Sequence, residues 1–239
     1  MAKELLLKKC QLSIHKSMET NIVCAICTPS RGLIFSRTVE SIVAGMKALN
    51  DLGHKTMFIT SHDLKIPDGH NYCVEQALAN PEVDRILIFE EDMYMYPNDF
   101  VTLALDEHPI ATVQYNDRNG SPLGIIHKNV LGRILWCGVG ATQIKREVFE
   151  KVGIPYFRTD TRYKIVKKRI NGVKVVAEFE EIPTKCEYQY GGLDVDFFTR
   201  TYKLKYSIYQ IPNIKAHHLE LVKLGESYTN NGCHIIKEV

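Results

Sequence analysis

The chain has 239 residues, 45% hydrophobic and 24% charged, with a net charge of +2 and a pI near 8.1. This composition is too apolar for a disordered chain, and the near balance of charge excludes a dominant basic or acidic field, so any affinity for nucleic acid must come from a local patch. The length fits a single α/β domain over 1–239 with a nucleotide-binding half (21–115) and an acceptor half (116–239), and no linker or repeat separates them.

Near the start, Leu5 to Leu7 is too short for a signal-peptide core, and no segment reaches the length of a membrane span, which predicts a cytoplasmic protein. The first strand is NIVCAICT (21–28). Its Cys24 and Cys27 form a CxxC, but residues three apart in a strand face opposite ways, so they read as buried small hydrophobes. The seven cysteines are odd in number and scattered, which argues for reduced thiols. Phe35, Val39, Ile42, Val43, Met46 and Leu49 then recur at helical steps, predicting an apolar helix face that ends at Asp51 to Gly53. HKTMFITS (54–61) is strand two, GHNYCVEQALAN (69–80) a helix and DRILIFE (84–90) strand three. After Pro97, NDFVTLALDEH reads as a helix, PIATVQY as a strand and NDRNGSP as a loop. The alternation predicts a mostly parallel central sheet flanked by helices.

The second half is more antiparallel. In residues 162–180, Asn171-Gly172 separates two β-rich runs, a strong hairpin signal. GGLDVDFFTRTYKLK reads as a helix and YSIYQIP as a strand, ending near AHHLE.

Glu90, Glu91 and Asp92 stand side by side where strand three ends. Ligands of open α/β sheets bind beyond the carboxyl ends of strands, and repulsion among adjacent carboxylates is relieved by a hard cation such as Mg2+ or Mn2+. The alternative is a solvated acidic turn.

These stretches together resemble a GT-A fold glycosyltransferase, most similar to the family 2 type and its small viral and bacterial members. The family's strand-terminal Asp-x-Asp corresponds to Glu90-Glu91-Asp92. Its glycine-containing strand leading into a basic helix start resembles WCGVGATQIKREVFEKVGIPYF (136–157), its acidic helix start resembles GGLDVDFF (191–198), and its histidine after the last strand corresponds to His217-His218. Three positions depart from the pattern: Glu90 where the family favours Asp, Leu193 where it has Glu, and His70-Asn71 where many relatives have Arg-Asn.

The resemblance implies a GT-A type nucleotide-binding fold and a metal-dependent transfer of a sugar from a nucleotide sugar, a UDP-sugar foremost, to an acceptor hydroxyl with inversion. Asp92 and Glu90 would hold the metal with His218 or His217; because neighbours in a strand face opposite ways, one histidine at most reaches it. Asp194 is the expected general base, with a helix N-cap as its other reading and Asp196 as its competitor. Thr28, Pro29, Ser30, Arg31, Ser61, Asp63, Asn71 and Glu91 are expected around the nucleotide, and Gly138 and Gly140 where the backbone approaches the donor sugar. Gly138-Val139-Gly140 lacks the third glycine of a dinucleotide fingerprint. Trp136 reads as a sugar platform or as core.

The acceptor is expected to be a glycan. The basic residues of 158–174 leave open DNA bearing hydroxymethylated pyrimidines, although a lysine-rich edge strand explains them too. A sugar-phosphate nucleotidyltransferase ranks lower, because TPSRGLIFSR has a single glycine where such an enzyme needs a glycine-rich loop. A noncatalytic nucleotide-sugar binding module is the remaining class.

Overall fold

In the computed structural model, residues 21–116, 126–128, 132–170, 173–182 and 190–219 are described. Val23–Thr28 (β1) is buried along its whole length, because helices cover both faces of its sheet; such a strand carries a continuous apolar run in place of alternation. Ser36–Asp51 (α1) leads to Lys55–Thr60 (β2), Asp68–Ala79 (α2) and the fully buried Arg85–Phe89 (β3). Met93–Tyr94 (β4), Pro97–Ala104 (α3) and Ile110–Asn116 (β5) complete the first half. The second half comprises Ile126–Lys128 (β6), Ile134–Cys137 (β7), Ala141–Lys145 (β8), Arg146–Val152 (α4), Arg162–Ile170 (β9), Val173–Ile182 (β10), Tyr190–Gly191 (β11), Leu193–Lys203 (α5) and Ile208–His218 (β12).

Seven strands form one sheet in the order β2-β1-β3-β8-β5-β12-β4. β8 runs antiparallel to both β3 and β5, and β4 antiparallel to β12. The other neighbours are parallel, so β1, β2, β3, β5 and β12 present their carboxyl ends along one edge. The expected mixed α/β fold, a mostly parallel sheet flanked by helices with an antiparallel hairpin beside it, is what the chain adopts.

Two cores flank the sheet. One packs β-strand side chains such as Ala25, Cys27 and Ile88 against Cys73 and Val74 of α2, Phe149 of α4 and Phe197 of α5. The other sets Cys24, Ile26 and Leu87 against Ile42 and Leu49 of α1 and Phe100 and Leu103 of α3. Cys24 and Cys27 thus lie on opposite faces. Both are free, and burial pushes the Cys24 thiol up to about 12.

Several expectations are corrected. α1 buries Thr38, Ser41, Ile42, Gly45 and Leu49, while Val39 and Val43 are exposed. The helix is rotated because the absent side chain of Gly45 lets it approach Phe100: a Cβ there would lie 2.6 Å from Phe100 Cγ. Gly138 and Gly140 occupy the turn between β7 and β8, not a strand interior. β12 continues past Pro212 to His218 because its register on β5 jumps between Gln210 and Lys215, a bulge that absorbs Pro212 and the positive φ of 67° at Asn213. β9 pairs with β10 from Ile170↔Val173 outward; the Asn171-Gly172 turn, most of NDRNGSP and residues 1–20 lie outside the described residues.

Candidate active site

The three acids follow β3 directly and are folded into a tight turn by backbone hydrogen bonds. The Glu90 N–H donates to Gly140 O at 2.9 Å, the Met93 N–H to Glu90 O at 3.2 Å and the Leu219 N–H to Asp92 O at 2.6 Å. The side chains consequently take three directions.

Glu90 Oε1 lies 3.0 Å from His70 Nε2. His70 is 2% exposed and sits edge-on to Phe157 at 5.4 Å. The other carboxylate oxygen rests over Gly140, where a Cβ would stand 2.7 Å from it, so a side chain at 140 would displace Glu90. Glu91 turns the opposite way and is buried. It accepts hydrogen bonds from the Arg31 backbone N–H at 2.9 Å and Arg31 Nε at 2.8 Å, while its carbonyl receives the Phe35 N–H and the Thr38 hydroxyl at 2.9 Å. Glu91 therefore fastens the β1–α1 loop while also lining the cleft beside it.

Asp92 differs from both. Its Oδ2 lies 3.2 Å from His218 Nε2, and its Oδ1 is buried with no hydrogen-bond partner. A buried acceptor left unpaired costs about 1–3 kcal/mol, a cost that a ligand at this oxygen would relieve. His217 takes the opposite face, with its ring beside Tyr94 and Tyr96.

Asp194 enters from the second half. α5 begins at Leu193, its N-cap is Gly192 at φ 118°, and no side chain caps it, so Asp194 is not a capping residue. Its carboxyl accepts a hydrogen bond from the Val139 backbone N–H, and burial, reinforced by the charge of Glu90, raises it to about 8. The turn that offers this N–H is fixed from beneath by Tyr115, whose hydroxyl donates to Gly138 O at 3.0 Å and accepts from the Ala141 N–H at 2.5 Å. Tyr115 drew no attention in the sequence because it reads as one more apolar strand residue.

Asp196 is fully buried and fully engaged. It accepts from Arg158 at 2.6 Å, Thr161 at 3.0 Å, Tyr163 at 2.6 Å and Arg200 at 2.9 Å. Burial alone would raise its carboxyl; the Arg158 and Tyr163 hydrogen bonds and the charges of Arg200 and Arg158 outweigh that and hold it below the usual range. It joins the root of the β9–β10 hairpin to α5, which removes it as a competitor for the base.

Beside the acidic turn lies a cleft of about 360 Å³, open solvent included, lined by Pro29, Ser30, Arg31, Leu64, Lys65, Ile66, Gly69, His70 and the three acids. The loops after β1 and β2 face each other across it. Thr28 is wholly buried below. Ser61 locks the two loops, accepting from the Ser30 N–H at 3.0 Å and donating to Ser30 O at 3.3 Å. Asp63 occupies an exposed turn at φ 54°, opposite Gly32. Asn71 spends both ends of its amide on the Phe157 backbone at 2.9 Å each. The side chains of Ser61 and Asn71 are engaged by the protein and Thr28 lies buried beneath, whereas Pro29, Ser30 and Arg31 line the cleft. Leu64 to Ile66 had no distinguishing signal, and His70 stood out only as a departure from the resemblance.

Trp136 is half-buried, packed against Leu135 and Tyr163. In the hairpin, Lys164 pairs with Glu180 at 3.2 Å, so part of its positive run is answered within its own sheet. Among the described residues, no group of three or more His, Cys, Asp and Glu side chains forms a ready-made metal site. What Asp92 and His218 offer is a buried carboxylate oxygen and an imidazole together, which fits a hard divalent cation that keeps most positions for water and phosphate oxygens. Glu90 and His217, also expected as ligands, are turned to His70 and to the tyrosines. No helix among the described residues is long and apolar enough to cross a membrane.

No protein-family model matches the chain, and no curated protein is similar in sequence. Among solved structures it is similar to A197 from STIV, at 17% identity over 91% of this chain and 98% of that one, with a TM-score of 0.53. At that identity the likeness is one of fold. The chain also aligns with the catalytic domain of Drosophila β1,4-galactosyltransferase 7 in complex with xylobiose, at 15% identity over 81% of this chain and 66% of the other, TM-score 0.44. A third alignment is with GalNAc-T7 holding UDP, GalNAc and Mn2+, at 9% identity over 84% and 44%, TM-score 0.46.

Proposed function

We propose that the chain is a metal-dependent glycosyltransferase that moves a sugar from a nucleotide sugar, a UDP-sugar first among them, to an acceptor hydroxyl with inversion. The observation that supports it best is Asp194: a carboxyl with no capping role, raised to about 8, set at the same sheet edge as the unpartnered oxygen of Asp92.

The donor lies in the cleft between the β1–α1 and β2–α2 loops. The first turn of α2 reaches the cleft through Gly69 and His70, and Lys65 beside them supplies positive charge for the diphosphate. Asp92 and His218 would hold the cation, Mn2+ or Mg2+, which would supply charge neutralisation for the departing diphosphate. The acceptor oxygen forms its bond to the anomeric carbon as the bond to the diphosphate breaks, the electron pair leaves with the diphosphate, and the hydroxyl proton passes to Asp194. A base whose pKa lies near the working pH combines the right protonation state with adequate proton affinity.

The test is hydrolysis of UDP-glucose, UDP-galactose and UDP-GalNAc with Mn2+. Slow turnover that chelation stops is expected, and Asp92→Ala should abolish it. Asp194→Asn should lower transfer to an acceptor about 10²- to 10⁴-fold. Undiminished turnover in Asp92→Ala would remove this site from the reaction.

A further inference from the structure

Past Asp92 the chain leaves the acidic turn through β4, which ends at Tyr94, and Tyr96 follows as the N-cap of α3. The rings of Tyr94 and Tyr96 meet edge to face, 5.4 Å apart at 75°. His217, the register partner of Tyr94, closes the group at 6.2 Å from Tyr94 and 6.5 Å from Tyr96. Arg37 of α1 covers Tyr94, its guanidinium carbon 5.9 Å from the ring centre. Tyr96 is left 52% exposed, yet it is not loose, because its carbonyl accepts the Phe100 N–H at 2.9 Å at the start of α3. An aromatic face held rigid in water gains little for folding and is ready for a ligand.

We propose that Tyr96, backed by Tyr94 and His217, is the platform on which a pyranose ring of a saccharide acceptor stacks. The identity of the occupant rests on the sugar-transfer reading. The C–H groups on one face of a pyranose carry partial positive charge and lie against the electron-rich face of an aromatic ring, leaving the hydroxyls at the rim for polar neighbours. Those neighbours are present: Arg37 pairs with Glu40 at 3.3 Å, and Asp99 sits close enough to His217 for their charges to interact. A nucleobase could stack on the same ring, but Arg37 is already answered by Glu40 and Asp99 repels the phosphates a nucleobase would bring, so the surroundings favour a neutral sugar. At about 3.3 Å per extended residue, Tyr94 and Tyr96 begin no more than about 7 and 13 Å along the chain from Asp92, within the span of a short oligosaccharide.

Saturation-transfer NMR on the full chain with cellobiose, maltose and lactose tests the platform. The expected result is saturation of the C–H protons of at least one disaccharide by wild-type protein, an effect reduced about fivefold or more in Tyr96→Ala and retained in Tyr96→Phe. Tyr96→Leu, which keeps apolar bulk without a ring, is run alongside in case the alanine variant does not fold, and is expected to lose the effect equally. Absence of transfer to all three sugars, equal transfer in the leucine variant, or transfer to an oligothymidylate in place of the sugars overturns the proposal. Titration of wild-type protein with UDP and Mn2+ separates the two readings. A saccharide signal without UDP binding keeps the platform and removes the transferase; UDP binding without a saccharide signal does the reverse.

Discussion

Asp194 carries the sharpest prediction at the residue scale. Its carboxyl is raised to about 8 by burial and then by Glu90, so below that pH the folded protein holds it protonated and the proposed base is absent. Transfer should therefore rise with pH and level off above about 8, and Glu90→Gln, which removes the like charge, should move the midpoint downward; a pH–rate profile measures both. Stability runs the other way. The unfolded chain releases this proton near the ordinary aspartate value of 3.8, so between there and about 8 the folded state binds more protons and loses stability as pH rises. Urea melts at pH 5 and pH 8.5 should show a smaller loss for Asp194→Asn than for wild type. Of this site the sequence disclosed the acids but not their division of labour. Glu90, Glu91 and Asp92 are adjacent and chemically alike, and only the turn that splays them decides that one meets His70, one clamps Arg31 and one keeps an open oxygen. Asp194 and Asp196 are separated in the same way: Arg158 and Tyr163, more than thirty residues earlier, and Arg200, one helical turn later, converge on the second and leave the first with the Val139 N–H.

At the scale of elements, strands with continuous apolar runs were legible in place and length, but not in order or direction. β8 lies antiparallel between β3 and β5, and because all three are buried on both faces, no alternation signals which neighbour each will have. α1 shows a different failure. Val39 and Val43 match the helical spacing as well as Thr38, Ser41 and Gly45 do, and hydrophobicity alone selects the wrong face. The decision is made by the hydroxyls, with Ser41 donating to Met95 O at 2.7 Å and Thr38 to Glu91 O, and by the space that Gly45 leaves for Phe100. Gly45→Ala should accordingly destabilise the fold by about 1–3 kcal/mol through overpacking, against the gain of up to about 1 kcal/mol that alanine normally brings to a helix. A lowered urea midpoint at constant m-value checks this, and Phe100→Leu in the same chain should recover part of the loss.

On the scale of the whole molecule, the edge where five strands end gathers groups from both halves of the sequence: the β1–α1 and β2–α2 loops and the acidic turn from the first, the Gly138–Gly140 turn, Asp194 and His218 from the second. The cleft and the turn exist only when the sheet is assembled, so a ligand bridging them binds the folded state and not the unfolded chain. Such a ligand stabilises by mass action, about 2.7 kcal/mol at a hundredfold excess over its dissociation constant. UDP with Mn2+ should therefore raise the melting temperature, and neither alone should match the pair, because each would offset the other's charge at the site. Asp92→Ala removes the unpaired oxygen together with the His218 contact, so the variant should lose the joint shift. A joint shift that survives in Asp92→Ala would place the cation elsewhere and separate the acidic turn from nucleotide binding.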